Sequence, residues 1–189
     1  MTIGADGLGL ISYTKGGIFT TDELEVAHCD NTNCATATKT TLDSDGNVGR
    51  YSSITIGADG LGLISYYDTV NQNLKVAHCD NTNCTTATKT TLDSDGNVGN
   101  YTSITIGADG LGLISYSDET NTALKVAHCS NTNCTTATTT TLDSTDSVGW
   151  YTSITIGTDG LGLISYSDNT NSELKVAHCE NAFCSPYFR

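Results

Sequence analysis

The residues able to do chemistry in this sequence come in sets of four. Eight cysteines fall into the pairs Cys29/Cys34, Cys79/Cys84, Cys129/Cys134 and Cys179/Cys184, and a histidine precedes the first cysteine of each pair: His28, His78, His128 and His178. Two cysteines at such short spacing can close a disulfide, or join a histidine in holding a metal ion. Adjacent residues on a strand point to opposite faces, so a His and the Cys beside it do not readily grip one ion. We therefore read the pairs as disulfides, each bridging the two arms of a hairpin. Cα atoms facing each other there lie about 4.5–5.5 Å apart, within reach of a bridge. Free thiols of a reducing compartment are the competing reading. The four histidines occupy one equivalent position. In a closed ring they would form four converging imidazoles, able to bind a metal or sense pH. The plainer reading, and the one adopted, is a half-buried strand residue copied by duplication.

Oxygen ligands cluster at alternating positions in two further stretches, at Asp43, Asp45 and Asn47 and at Asp93, Asp95 and Asn97. That is the pattern of the front of a calcium loop, although no Glu follows at the EF-hand distance. A solvated Asx-rich turn is the alternative. Calcium is the one cofactor these residues suggest. The aromatic candidates are Tyr51, Tyr101 and Tyr151, one per repeat, with the single tryptophan, Trp150, beside the last. Exposed aromatic rings can stack on sugars, and these four residues are the candidate ligand contacts. A second tyrosine series, Tyr13, Tyr66, Tyr116 and Tyr166, sits in apolar surroundings and reads as core. No Gly-x-Ser-x-Gly elbow, His-Glu-x-x-His pair or phosphate loop is present, so the sequence offers no catalytic residues.

These residues are positioned by a repeat. Ile-Gly-Ala-Asp-Gly-Leu-Gly-Leu-Ile-Ser-Tyr begins at Ile3, Ile56 and Ile106 and returns at Ile156 with Thr158 in place of Ala. Val-Ala-His-Cys recurs every 50 residues, and the first copy carries three extra residues between Thr14 and Glu23. The chain therefore divides into units of about 1–50, 51–100, 101–150 and 151–189 within one repeat domain, the last unit truncated. Within a unit, Ser53 to Gly57 alternates apolar and polar residues and reads as strand A. Ala58-Asp59-Gly60 is a turn suited to positive φ. Leu61 to Tyr67 is strand B, apolar on both faces. Leu74 to Cys79 is strand C, Asp80 to Asn83 a four-residue loop, and Cys84 to Leu92 a polar strand D. Asp93 to Tyr101 is a longer link. Three hairpins and a link predict an all-β protein of four antiparallel four-stranded units, arranged as β-propeller blades. These form a four-bladed ring or part of a larger ring or array.

The motif Ile-Gly-Ala-Asp-Gly-Leu-Gly-Leu-Ile-Ser-Tyr-x-Asp followed by Leu-Lys-Val-Ala-His-Cys resembles repeats of bacterial secreted β-propeller proteins of the sialidase-like type. The Asp-Gly turns at Asp59-Gly60 and Asp109-Gly110 resemble Asp-box turns, without the aromatic residue an Asp-box supplies. The resemblance implies a propeller fold and an extracellular setting, and leaves the ligand open. A sialidase holds its carboxylate substrate with several arginines; this chain has Arg50 and Arg189 alone.

The formal net charge of −13 excludes a nucleic-acid partner, and no apolar run reaches the length of a membrane span. Met1 leads directly into a strand-like segment without a leader, which implies either a cytosolic protein or a mature fragment. The cysteines favour the second and an extracellular or cell-surface location. The sequence thus points to a non-enzymatic extracellular module that acts by self-association or by binding a partner protein. A lectin-like propeller with tyrosine-lined sites between blades is the alternative. Near-identical copies make the last face of the chain a complement to the first, so the expected partner is a second copy, in a head-to-tail ring or filament.

Overall fold

The computed structural model of the chain describes residues 1–17 and 20–185. The first unit comprises β1 (Thr2–Ile3), β2 (Gly9–Gly17), β3 (Thr20–Cys29) and β4 (Ala37–Asp43). The second comprises β5 (Val48–Ile56), β6 (Gly62–Asp68), β7 (Asn73–Cys79) and β8 (Ala87–Asp93). The third comprises β9 (Val98–Ile106), β10 (Gly112–Asp118), β11 (Ala123–Cys129) and β12 (Ala137–Asp143). The fourth comprises β13 (Trp150–Ile156), β14 (Gly162–Asp168) and β15 (Glu173–His178). Each unit is one antiparallel sheet whose strands neighbour one another in chain order, four-stranded three times and three-stranded in the last. First strands pack beside first strands, β5 on β9 and β9 on β13, as the inner strands of propeller blades do. The truncation expected after Cys184 concerns a segment of which residues 186–189 lie outside the described residues.

The apolar residues on both faces of strand B follow from stacking. Leu63 and Leu74 face the next unit, while Ile64, Tyr66 and Ala77 face the previous one. Three separate cores result, each lying between two units. Leu10, Leu24 and Val26 of unit one pack against Ile54, Ile64, Tyr66 and Ala77 of unit two. Leu63, Leu74 and Val76 repeat this against Ile104, Ile114, Tyr116 and Ala127. Leu113, Leu124 and Val126 do so against Ile154, Ile164, Tyr166 and Ala177. A single sheet cannot cover both of its faces. Each blade therefore depends on its neighbour, with full burial of one such side chain contributing about 1.5–3 kcal/mol.

Two strand boundaries differ from the sequence reading. The inner strand starts at Val48 rather than Ser53, and its counterpart at Val98, so the link shrinks to the stretch after Asp93. The outer strand starts at Ala87 rather than Cys84. Cys79 pairs in register with Ala87, not with Cys84. The connection between the two strands thus runs longer than the four residues expected, the disulfide closes only its first part, and Cys84 adopts φ +52° within it. The bridges themselves are present as read, at Cys29–Cys34, Cys79–Cys84, Cys129–Cys134 and Cys179–Cys184, with Cα–Cα distances of 4.6–4.9 Å. Three of them, Cys79–Cys84, Cys129–Cys134 and Cys179–Cys184, are parts of the cores, while Cys34 of the first is exposed. Cys79 and Cys84 are fully buried, and a Cβ at Gly62 would lie 2.8 Å from Cys79 Sγ. The glycine of the Leu-Gly-Leu motif is thus what lets the bridge pack on the strand. Removing one bridge, Cys79→Ala with Cys84→Ala, is expected to lower stability by roughly 2 kcal/mol. Urea unfolding reads this out, and an unchanged midpoint would show that the bridge carries no stability.

Candidate functional site

The inner strands present the feature most open to a ligand. Tyr51, Tyr101 and Tyr151 stand in one row across three blades, with ring centroids 4.5 Å apart at each step. Trp150 lies 5.4 Å from Tyr101, and Tyr67 lies 6.3 Å from Tyr51. The four aromatic residues singled out in the sequence therefore come together. Tyr51 and Tyr151 are exposed and Tyr101 is half-buried between them. Sequence periodicity missed that they belong to strands rather than to links, and it missed Tyr67, which has no tyrosine counterpart in units three and four.

The backbone that holds the row is unusual. Tyr51, Tyr101 and Tyr151 have φ of 55°, 53° and 53°, inside a strand. The strand pairing is interrupted at the same place in each blade, between Arg50 and Ser53, between Asn100 and Ser103 and between Trp150 and Ser153. Such bulges re-aim side chains. A non-glycine residue held at positive φ costs on the order of 1–3 kcal/mol. The other non-glycine residues at positive φ sit in hairpin or linking turns or at the second cysteine of a bridge, where the turn accounts for them. The glycine two residues earlier makes the bulge possible. A Cβ at Gly99 would lie 2.6 Å from Leu74 Cα of the preceding blade, so only glycine allows that close approach.

Polar groups border the row. The Tyr67 hydroxyl donates to Asn97 Oδ1 at 2.7 Å, and Asn100 Nδ2 donates to the same oxygen at 3.0 Å. Asn97 Nδ2 donates to Glu119 Oε2 at 2.7 Å. Trp150 Nε1 donates to Ser147 Oγ at 3.2 Å. Arg50 Nε is 2.6 Å from Asp22 Oδ2. Desolvation, and then the hydroxyls of Tyr51 and Tyr151 beside it, push the Tyr101 phenol well above its ordinary value, so Tyr101 keeps its proton and can donate a hydrogen bond. An apolar ring surface rimmed with amides, hydroxyls and a carboxylate is suited to a ligand with both C–H faces and hydroxyl groups.

The remaining candidates are placed elsewhere. Asp43 Oδ2 accepts from the Tyr66 hydroxyl at 2.8 Å and from Lys75 Nζ at 2.7 Å, and Oδ1 accepts from Lys89 Nζ at 3.0 Å. Asp93 repeats this with Tyr116 at 2.7 Å and Lys125 at 2.6 Å, and Asp143 with Tyr166 and Lys175. Burial alone would raise these carboxyls. The hydrogen bonds from lysine and tyrosine outweigh it and hold all three below the ordinary carboxylate range. Asp43 and Asp93 thus bind ammonium groups of the next blade. Asp45 donates its backbone N–H to Asp43, as Asp95 does to Asp93. Asn47 Oδ1 accepts from the Asp22 N–H, and Asn97 serves Tyr67 and Glu119. Asp43, Asn47, Asp93 and Asn97 thus have their side chains engaged in these contacts, and no group of three or more His, Cys, Asp or Glu is arranged to hold a metal among the described residues.

The histidines do not converge. Each Nε2 meets the aspartate of its own Asp-Gly turn, His28 with Asp6, His78 with Asp59, His128 with Asp109 and His178 with Asp159, at 2.7–2.8 Å. The other oxygen of each aspartate accepts the N–H two residues on, as Asp59 does from Leu61 at 3.0 Å. The turn aspartate therefore locks the strand A–strand B hairpin to strand C. The propeller-type architecture stands, and this pairing is the work the Asp-Gly turns do here.

No family model matches the sequence, and no curated protein matches it. The fold is similar to solved structures. One is an endo-arabinase from Bacteroides thetaiotaomicron, with TM-score 0.56 at 14% identity, covering 93% of this chain and 72% of that one. Another is an alpha-L-arabinofuranosidase from Lactobacillus brevis, with TM-score 0.58 at 13% identity, covering 92% and 69%. A GH43 beta-1,3-galactosidase superposes with TM-score 0.56 at 10% identity over 89% of this chain, which spans 42% of its length. The expectation of a non-enzymatic structural module is corrected by these neighbours: the architecture is one on which carbohydrate-active enzymes are built. The exclusion of catalysis rested on absent motifs, and glycoside cleavage needs only paired carboxylates, which carry no sequence motif. At these identities the similarity establishes the propeller-type fold alone.

Proposed function

We propose that this chain is a carbohydrate-active β-propeller that engages a glycan along the row Tyr51, Tyr101 and Tyr151, with Trp150 at one end and the buried Tyr67 supporting Tyr51 from beneath at the other. The observation that carries the reading is the backbone. The same bulge, with the same positive φ, lifts a tyrosine out of the inner strand in three successive blades. Strain that recurs at an exposed aromatic residue marks a site better than it marks a core. Asn97 and Glu119, both half-buried, border the row and supply hydrogen-bonding partners for hydroxyl groups, with the buried Asn100 holding Asn97 in place. The similar folds of an endo-arabinase, an alpha-L-arabinofuranosidase and a beta-1,3-galactosidase support a polysaccharide ligand, with arabinan and beta-1,3-galactan as the first probes. Four disulfides fit an oxidising setting, and an extracellular substrate is consistent with that. Among the described residues, no helix is long and apolar enough to cross a membrane.

Calorimetric titration with arabino- and galacto-oligosaccharides tests the site. Tyr151→Ala and Tyr101→Ala are each expected to weaken binding by about tenfold, the loss of one stacking contact. Release of reducing ends from the same oligosaccharides, followed over hours, separates binding from turnover. No binding across a glycan array, or binding indifferent to both substitutions, would overturn the proposal.

A further inference from the structure

The three internal blade boundaries share one design, and the outward face of the fourth unit displays its donor half without a partner. At each boundary the earlier unit contributes two leucines and a valine. In units one to three these residues are at most 1% exposed: Leu10, Leu24 and Val26, then Leu63, Leu74 and Val76, then Leu113, Leu124 and Val126. Their counterparts in unit four, Leu163, Leu174 and Val176, are 37%, 78% and 59% exposed. The identical residues, on identical strands, are buried three times and bare the fourth.

The receiving half is equally bare at the other end. A leucine of each earlier unit sits over the motif glycine of the next. A Cβ on Gly62 would lie 3.0 Å from Leu10 Cδ2, on Gly112 2.8 Å from Leu63 Cδ2, and on Gly162 3.0 Å from Leu113 Cδ2. Gly9 has the same disulfide beside it and no leucine over it. The alanine of each Asp-Gly turn similarly approaches the turn glycine of the next unit, Ala5 to Gly60, Ala58 to Gly110 and Ala108 to Gly160, at 3.4–3.5 Å, whereas Gly7 has nothing within 4 Å. Ile56, Ile106 and Ile156 pack on the preceding unit; Ile3 is exposed.

We propose that Leu163, Leu174 and Val176 of one molecule dock on Gly9, Ile3 and Ile11 of a second copy of this chain, reproducing the internal blade boundary between molecules. Charge fits as well as shape. At the internal boundaries the earlier unit must deliver an aspartate to a buried lysine and tyrosine of the later one. The first unit needs no such delivery. It carries Glu25 where the others carry Lys75, Lys125 and Lys175. The Tyr13 hydroxyl donates to Glu25 Oε2, and Lys15 Nζ lies 2.8 Å from Glu25 Oε1. Its receiving face is thus neutralised from within and can accept a partner that brings only apolar side chains. The extended hairpin formed by β2 and β3, three residues longer than its counterparts, supplies Lys15. One donor residue departs from the pattern, Thr158 in place of alanine, and it falls where Gly7 leaves open space.

The contact is heterologous, so two complementary variants test it. Leu174→Glu with Val176→Glu disables the donor face, and Ile3→Glu disables the receiving face; all three positions are exposed, so the folds survive. Analytical ultracentrifugation of the wild type up to about 100 µM, where a micromolar interface saturates, is expected to show species larger than the monomer. Each variant alone is expected to be monomeric, with association weakened at least tenfold. An equimolar mixture of the two retains one intact donor and one intact receiver, and is expected to stop at the dimer. A wild type that is monomeric throughout overturns the proposal. So does association of Ile3→Glu by itself, which would show that two donor faces pair with each other.

Discussion

Replacing Asp93 with alanine is expected to cost about 3 to 5 kcal/mol, which for a chain of this size is a fall in Tm of roughly 10 °C. Asp93 lies at the end of β12's counterpart in the second unit, β8, and reaches into the third. Its carboxylate accepts hydrogen bonds from the Tyr116 hydroxyl and from Lys125 Nζ, and all three side chains are buried. Truncation leaves the Tyr116 phenol without its acceptor and the Lys125 ammonium with only Asp118 Oδ2, 3.8 Å away, at the blade boundary. The cost is chiefly that of the poorly paired buried charge, not the worth of the pair. Adding Lys125→Met to Asp93→Ala is accordingly expected to recover at least half of the loss. A cost below about 1 kcal/mol for the single variant, with no recovery in the double, would show that the boundary does not depend on this cluster.

The same cluster sets the pH dependence. Folding holds Asp93 below its unfolded value of 3.8, as it does Asp43. A carboxyl depressed by folding contributes stability that is fully present above its unfolded pKa and lost as pH falls through the folded one. The chain is therefore expected to remain stable to about pH 4 and to lose stability below it. Tyr116 has the opposite sign. Burial, and then Asp93, keep its phenol protonated well above the ordinary value of 10.0. The unfolded tyrosine ionises first, so stability is expected to fall again from about pH 10 upward. Thermal unfolding across pH 3 to 11 reads both limbs, and the acid limb is expected to flatten in Asp93→Ala with Lys125→Met.

Gly99→Ala is the second large effect. Gly99 has φ +100°, and a Cβ there would meet Leu74 Cα at 2.6 Å and Leu74 N at 2.9 Å, both backbone atoms of the preceding blade. Neither atom can step aside as the end of a flexible side chain could. Backbone strain and overpacking add, for a loss on the order of 3 kcal/mol. Gly7→Ala is the control. Gly7 has φ +79° with nothing within 4 Å, so it registers the conformational penalty alone, about 1 kcal/mol. Equal midpoints for the two variants in urea would mean that the inner strand can move away from Leu74. A large difference would establish that the blade spacing, and with it the tyrosine row, is set by this contact.

Several features were legible from residues alone because they are local. The alternation in Ser-Ile-Thr-Ile, the Asp-Gly turn and the two-faced apolar run from Leu61 to Tyr66 are properties of a few consecutive side chains, and they led to strands in the right order. The disulfides were legible because the partners are five residues apart, too close for another arrangement to compete across four copies. The inner strand was under-read because Gly49 and Tyr51 break the alternation that marks a strand. A bulge has no periodicity, and the residues before Ser53 therefore looked like a link. The role of Asp43 and Asp93 was invisible for a related reason: among Ser, Asn and Gly an aspartate looks like a turn, and its lysine partner lies 32 residues away in the next copy.

Short-range spacing encodes the unit: its length, its strands, its bridge and its fourfold recurrence. Everything that lies between units comes from how the sheets stack. Stacking turns the two apolar faces of each sheet into three cores, carries Asp93 onto Lys125, brings successive tyrosines to 4.5 Å from one another, and leaves Leu174 and Val176 exposed on the outward face of the fourth unit. The physical reason is that a single blade cannot bury its own faces. Its neighbours, not its residues, determine which side chains become core, which become a site and which remain an open surface.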